Sequence, residues 1–205
     1  MITLLIILAV VLLPVIYNQL FPLKPPVLEG YFTPGMMFTS EAEGVTQKVL
    51  KQENGLVMTE VVFAPHAVGP PEHLHIGFDE SGTVIKGILT IKIDDQPQQI
   101  RAGESLIFPK GHYHSLYNET DEIVVAEGVI PEHFMYCLAQ MYPLFKDNSP
   151  LTMVHLFYKM ALLGDMADTY VKSAPIAGMK FIKTVLKPYA RVLGYRLYDD
   201  KSKPR

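Results

Sequence analysis

From Ile2 to Ile16 the chain is aliphatic at every position except Thr3 and Pro14. Tyr17, Asn18 and Gln19 interrupt the run before Leu20 and Phe21, and no charge precedes Lys24. About 20 apolar residues cross a bilayer as a helix. This run reaches that length if the Tyr-Asn-Gln step sits at the interface, where tyrosine is favoured. A cleaved signal peptide would carry a basic n-region and a small-x-small cleavage site, and neither is visible. A buried core helix would seldom be so uniformly aliphatic. The pattern therefore predicts a single-pass membrane anchor over residues 1–21, with secretion after cleavage as the alternative. Lys24 alone does not set its orientation. Residues 22–30, entered through the stretch FPLKPP that begins at Phe21, read as a Pro-rich, extended linker.

The pattern changes over residues 31–130. Short runs with alternation or β-branched enrichment occupy 55–65, 83–95, 104–109 and 122–130. In TVIKGILTIKIDD, Val84, Lys86, Leu89, Ile91 and Ile93 mark the alternation, with Gly87 as a bend. The clusters APHAVGPPE, DDQPQQ, RAGES and PKGHYH read as turns. Short strands at regular spacing predict an antiparallel sandwich or barrel. No internal repeat or low-complexity run is present.

Residues 131–205 lose the alternation and read as helical. In the last segment Met179, Ile182, Leu186, Tyr189 and Leu193 gather on one side of a helical wheel, and Lys180, Lys183, Lys187 and Arg191 on another. Pro188 predicts a kink. The helix packs on the barrel with a solvated basic face, or lies on anionic lipid.

Charge follows this division. Up to Ile130 there are 7 Lys and Arg against 15 Asp and Glu; from Pro131 on there are 11 against 6. The net charge of −3 leaves no basic excess for phosphates, which argues against nucleic-acid binding. Cys137 is the single cysteine, so an intrachain disulfide and a Cys-rich zinc site are both excluded.

The candidate chemistry lies in two stretches of the strand-rich region. GPPEHLHIGFDESGTVIKG places His73 and His75 two apart, which on a strand puts both rings on one face. Glu80 follows as a nearby carboxylate. GESLIFPKGHYHSLYN offers His112 and His114 just after a Pro-Gly turn. A mononuclear first-row metal site takes such nitrogen and oxygen donors.

Here the sequence resembles the cupin superfamily. The first cupin motif corresponds to His73, His75, Glu80 and Gly87, and the second to Gly103, Pro109, Gly111, His114 and Asn118. Gly69 lies nearer to His73 than the upstream glycine of the usual form. The resemblance covers about residues 45–130. It implies a mainly β fold, a single cupin jelly-roll β-barrel, here with an N-terminal transmembrane-type helix and a C-terminal α-helical extension. It further implies that His73, His75, Glu80 and His114 bind one divalent transition metal ion: Fe, Mn, Ni, Cu or Zn. Four protein ligands leave two positions on a six-coordinate ion for substrate or dioxygen. Asn118 takes a structural role. His112, His66, His133 and His155 are read as non-ligands.

The expected function is a membrane-associated, metal-dependent enzyme on a small organic substrate, dioxygenase-like or an isomerase. Glu80 serves as ligand and as catalytic proton acceptor. The alternatives are a non-catalytic ligand-binding or sensing cupin and a barrel whose metal is only structural. Tyr113, His112 and Tyr117 are the nearby proton-transfer candidates, and Phe78, Met58 and Leu106 are candidates to line an apolar cavity. Membrane lipid is an expected partner, through the N-terminal helix and the C-terminal basic helix, and a homodimer is compatible with the reading.

Overall fold

Alternating side chains need two faces to bury against, and the chain meets this by stacking two antiparallel sheets. The computed structural model describes residues 12–145 and 149–197. Within them one sheet has six strands, ordered β1 (Met37–Ser40), β2 (Val45–Glu53), β3 (Leu56–Phe63), β10 (Val124–Pro131), β5 (Glu80–Lys86) and β8 (Ser105–Phe108). The other has five, ordered β11 (Tyr170–Val171), β4 (His73–Leu74), β9 (His114–Tyr117), β6 (Ile88–Ile93) and β7 (Gln96–Arg101). This is the double-sheet arrangement of a jelly roll. Val45, Phe63, Val84 and Phe108 of the first sheet meet Leu89 and Ile91 of the second in one buried cluster.

Three helices follow the barrel: α2 (Glu132–Met141), α3 (Pro150–Leu163) and α4 (Ile176–Val192). A second buried cluster joins them to it. Val57 and Ile130 from the strands and Phe32 from the linker side pack against Phe134, Met135 and Tyr136 of α2 and Leu163 of α3.

Several sequence expectations change. The run 83–95 is two strands in different sheets, divided at Gly87, whose φ is +83°. A Cβ there would also lie 3.0 Å from Val124 Cγ2. Of DDQPQQ, only Asp94 and Asp95 form the turn, both at positive φ as a tight hairpin requires. The rest is β7, which carries Pro97 because it lies at a sheet edge. The segment after Pro131 is helical as expected, but Tyr170–Val171 returns to pair with β4.

The charge distribution on α4 follows the expectation of a solvated basic face only in part: Lys180 is exposed, but Lys183 and Lys187 are half-buried. Phe181, Ile182, Val185 and Val192 are exposed, whereas Arg191 is buried. Lys183 turns inward to the Ala167 carbonyl at 2.9 Å. Arg191 reaches the Asn18 side chain at 2.8 Å and lies over the Tyr17 ring. Residues 12–20 are helical (α1), so this contact joins the two ends of the described chain. Residues 1–11, the larger part of the expected anchor, lie outside the described residues. Among the described residues no helix is long and apolar enough to cross a membrane, so a transmembrane helix is not supported there.

Candidate metal centre

The His-x-His strand lies at the middle of the site. In β4, His73 sits directly opposite His114 of β9. Glu80 opens β5 in the facing sheet, opposite Phe108 of β8. The turn of the second motif is pinned to the first: Gly111 N–H donates to the His75 carbonyl at 2.6 Å, and Lys110 N–H to the Asp79 carboxylate at 2.8 Å. His73, His75, Glu80 and His114 thereby converge, each offering one donor atom, with all four atoms within 4.8 Å of one another.

Each imidazole is fixed through its outer nitrogen. His73 Nδ1 bonds the Pro71 carbonyl at 2.7 Å, His75 Nδ1 the Asp168 carbonyl at 2.5 Å, and His114 Nδ1 the His112 carbonyl at 3.1 Å. A carbonyl only accepts, so each Nδ1 carries the proton, and a neutral ring turns an Nε2 lone pair inward. Aromatic neighbours hold the planes. Phe108 stacks on His114 at 4.5 Å between centroids, and Phe78 on His75 at 4.4 Å. All three rings are buried.

The electrostatics call for a positive partner at the centre of the quartet. His75 Nε2 and His114 Nε2 are buried without a hydrogen-bond partner, although they face Glu80 oxygens at 3.5 and 3.3 Å. Two lone pairs against a carboxylate repel, so a proton or a cation must lie between them. Burial presses the His73 pKa down to about 4, against the opposing charge of Glu80, which keeps that ring neutral near pH 7. Burial alone would raise the pKa of Glu80. Wherever a proton lies between Glu80 and His114 or His75, the hydrogen bond and charge so formed outweigh burial and hold the carboxylate below its usual range. Neutral imidazoles and one carboxylate suit a divalent transition metal ion, and the group could bind one. The donor set does not select the metal.

His73 and Glu80 also line a cavity of about 750 Å³. Its wall continues through Leu106 and Phe108 of the barrel to Leu156 and Met160 of α3. Leu106 was expected there. Met58 is instead exposed on the outer face of β3, and Phe78 packs behind His75 against Phe134. The proton-transfer candidates from sequence do not line this cavity. His112 pairs with Asp94 at the surface, Tyr113 lies under Lys172, and Tyr117 borders a separate shallow pocket.

Two buried titratable groups that sequence reasoning missed, Glu43 and Tyr142, are among the residues that line it. Burial raises the pKa of Glu43, with Ser40 opposing. Burial also raises that of Tyr142, and the charges of Glu43 and Glu80 add to the effect. Nothing local in the sequence marks either residue. The other histidines stay outside the quartet, His66 in a surface pair with Asp121, His133 beside Phe78 and His155 beside Tyr195. Asn118 is structural: its amide donates to the Ala64 and Glu122 carbonyls and its oxygen accepts from Thr120.

Residues 59–129 match the family model described as the cupin domain. Germin-like protein 3-1 of Oryza sativa subsp. japonica is 35% identical over 69 residues, 31% of this chain. The match spans 30% of that relative's length. Among solved structures, KdgF from Halomonas sp. aligns at 22% identity and a TM-score of 0.39, covering 43% of this chain and 79% of that one. A cupin-2 domain containing protein from Shewanella frigidimarina aligns at 26% identity and 0.37, covering 42% and 78%. The polyketide cyclase RemF from Streptomyces resistomycificus aligns at 18% and 0.42, covering 53% and 80%. The segment matched by the family model contains all four members of the quartet, and it supports assigning this part of the chain to the cupin superfamily.

Proposed function

We propose that the protein is a metal-dependent cupin enzyme acting on a small organic molecule at a membrane surface, with dioxygenase-like chemistry as the leading reaction class. One observation carries this reading. Three inward imidazole nitrogens and a carboxylate converge on the wall of a large cavity, with His73 and Glu80 reaching its surface. A bound divalent ion supplies Lewis acidity and, for a redox-active metal, a route to dioxygen.

The chain's own residues do the rest. His73, His75, Glu80 and His114 hold the ion. The backbone carbonyls of Pro71, Asp168 and His112 fix the tautomers. Glu80 is the candidate proton acceptor. Tyr142, kept protonated by burial, is placed to donate a hydrogen bond into the same cavity. These groups favour an enzyme over a passive binder, because proton transfer needs a titratable group beside the metal ligands.

The membrane reading is supported by where large apolar side chains stand uncovered. Leu13, Ile16 and Leu20 of α1, Leu151 of α3, and Phe181 and Leu193 at α4 are all exposed. Domain limits follow as proposals: anchor to residue 21, linker to 30, barrel to 130, and a helical extension beyond.

Elemental analysis of the natively purified protein tests the site. A transition metal near stoichiometric with the chain is expected, and it is lost in His75→Ala and His114→Ala. Unchanged metal uptake in both variants removes the assignment. Substrate-dependent oxygen uptake by the Fe(II)-loaded protein separates an oxygenase from a non-catalytic ligand-binding cupin. Release of the full-length chain from the membrane fraction by carbonate overturns the anchor.

A further inference from the structure

We infer that the cavity takes a lipophilic molecule with an oxygen-bearing head, the head meeting the His73–Glu80 side and the apolar body extending under the C-terminal helices. The claim about the head rests on the metal reading above; the claim about the body does not.

The cavity has the size of a ligand chamber. Packed interiors leave few voids larger than a water, whereas this partly open chamber holds about 750 Å³. That falls inside the range of roughly 300–1,000 Å³ that encloses drug-sized ligands. The inner faces of the barrel strands supply Phe63, Leu106 and Leu116, and the helices supply Met141, Leu156 and Met160. The barrel alone does not close this chamber; the segment after Pro131 forms the remainder of its wall.

The lining also argues against a sugar or another polyhydroxylated ligand. Such a molecule loses its water on entering and needs a hydrogen-bond partner for each hydroxyl. Besides His73, Glu80 and Tyr142, polar residues are a minority of the lining and are dispersed, among them Glu43, Gln47, Thr59 and Glu127 on the barrel side and Thr152, Thr169 and Lys183 on the C-terminal side. A ligand with one polar end and an apolar remainder matches this distribution. On the helical side, Phe157 and Ile182 line the cavity while each remains 47% exposed, so its rim there is itself apolar.

A matched series of n-alkyl hydroxamates tests this by calorimetry on full-length, Zn(II)-loaded protein, from acetohydroxamate to decanohydroxamate. Affinity is expected to rise about fourfold per added methylene until the chamber is full, the gain for burying one CH₂. Equal affinity along the series overturns the inference. A parallel series of n-alkyl amides, which chelate weakly, is run on metal-free protein. A chain-length dependence there, with no preference for hydroxamates on the loaded protein, supports the apolar chamber and sinks the metal-side head. Met160→Trp and Leu156→Trp fill the helical part of the wall. Either folded variant is expected to lose at least tenfold in decanohydroxamate affinity while binding acetohydroxamate normally. Unchanged decanohydroxamate binding in both overturns the placement of the body.

Discussion

His75 Nδ1 donates to the carbonyl oxygen of Asp168 at 2.5 Å, across 93 positions of sequence. The same Asp168 accepts through Oδ2 from the backbone N–H groups of Ile76 at 3.0 Å and Gly77 at 2.5 Å. One residue of the C-terminal segment therefore clamps both the ring and the backbone at the end of the His-x-His strand. Lys172 reinforces the junction, donating from its backbone to the Glu72 carbonyl and from Nζ to Glu72 and Asp95.

This clamp predicts that Asp168→Ala weakens metal binding without removing a ligand. The alanine variant keeps the main-chain carbonyl that holds His75 Nδ1 and loses only the carboxylate that ties down Ile76 and Gly77. The effect therefore belongs at the lower end of the about 10–100-fold that outer support of a metal ligand contributes. A loss in that range is expected by competition against a chelator, with the quartet chemically intact. Asp168→Asn retains an acceptor oxygen and should recover most of the loss. The spectrum of the Co(II)-substituted protein should shift in the alanine variant and return in the asparagine one. Full metal affinity in Asp168→Ala would show that the clamp serves folding alone.

Gly69 provides a stability prediction next to the site. Its φ is +65°, and a Cβ would stand 1.8 Å from the Leu116 carbonyl oxygen, a backbone atom that cannot swing away. Gly103 also has positive φ, +88°, but nothing lies within 4 Å of its would-be Cβ. Gly69→Ala should therefore cost about 3–4 kcal/mol in denaturant unfolding, combining strain and overlap. Gly103→Ala, with conformational strain alone, should cost about 1 kcal/mol. Equal losses would mean that the loop at Gly69 relaxes freely.

This contrast also shows what could be read in advance. His73, His75 and Glu80 lie within one short stretch, and the alternation that begins in β4 at His73 needs to continue only one residue past it to turn both rings the same way. His114 follows a Pro-Gly turn with a spacing of its own. The departure at Gly69 was visible as a shifted glycine, but the reason, the close approach of β9, was not. Asp168, Glu43 and Tyr142 reach the site only through tertiary pairing, and no periodicity encodes that. The helical wheel of α4 separated its two faces but could not orient them. Arg191 is satisfied by Asn18 and the Tyr17 ring, which allows that end of the basic side to turn inward, while Phe181 and Val185 stand outside with Lys180.

Cys137 carries a chemical prediction. It is fully buried on α2, and burial pushes its thiol pKa up to about 12. At ~pH 8 only about 10⁻⁴ of it is thiolate, the form that reacts. The folded protein should therefore resist a disulfide exchange reagent for as long as it stays folded, and guanidinium should release one fast-reacting thiol per chain. Rapid labelling under native conditions would show that α2 opens readily, which would also unsettle the cavity wall it supplies.

Lys159 of α3 gives the pH dependence. It is 7% exposed, donating to the Arg196 carbonyl at 2.5 Å and to Gln140 Oε1 at 3.4 Å. Burial lowers its pKa to about 8, against roughly 10.4 in an unfolded chain. The unfolded state then holds the proton through a window where the folded state has lost it. Stability contributed at this site must rise as pH climbs from about 8 to roughly 10.4, by up to about 3 kcal/mol, and stay flat below it. Lys159→Met removes the titration and keeps the volume, so the pH slope of wild type minus variant isolates it from the tyrosines and Cys137. At neutral pH the variant should be as stable as the wild type or more so, since a buried charge is replaced by an apolar chain. Denaturant melts of both proteins across this range check the sign. A difference that falls with rising pH would mean that the Arg196 and Gln140 oxygens stabilise the ammonium more than burial disfavours it.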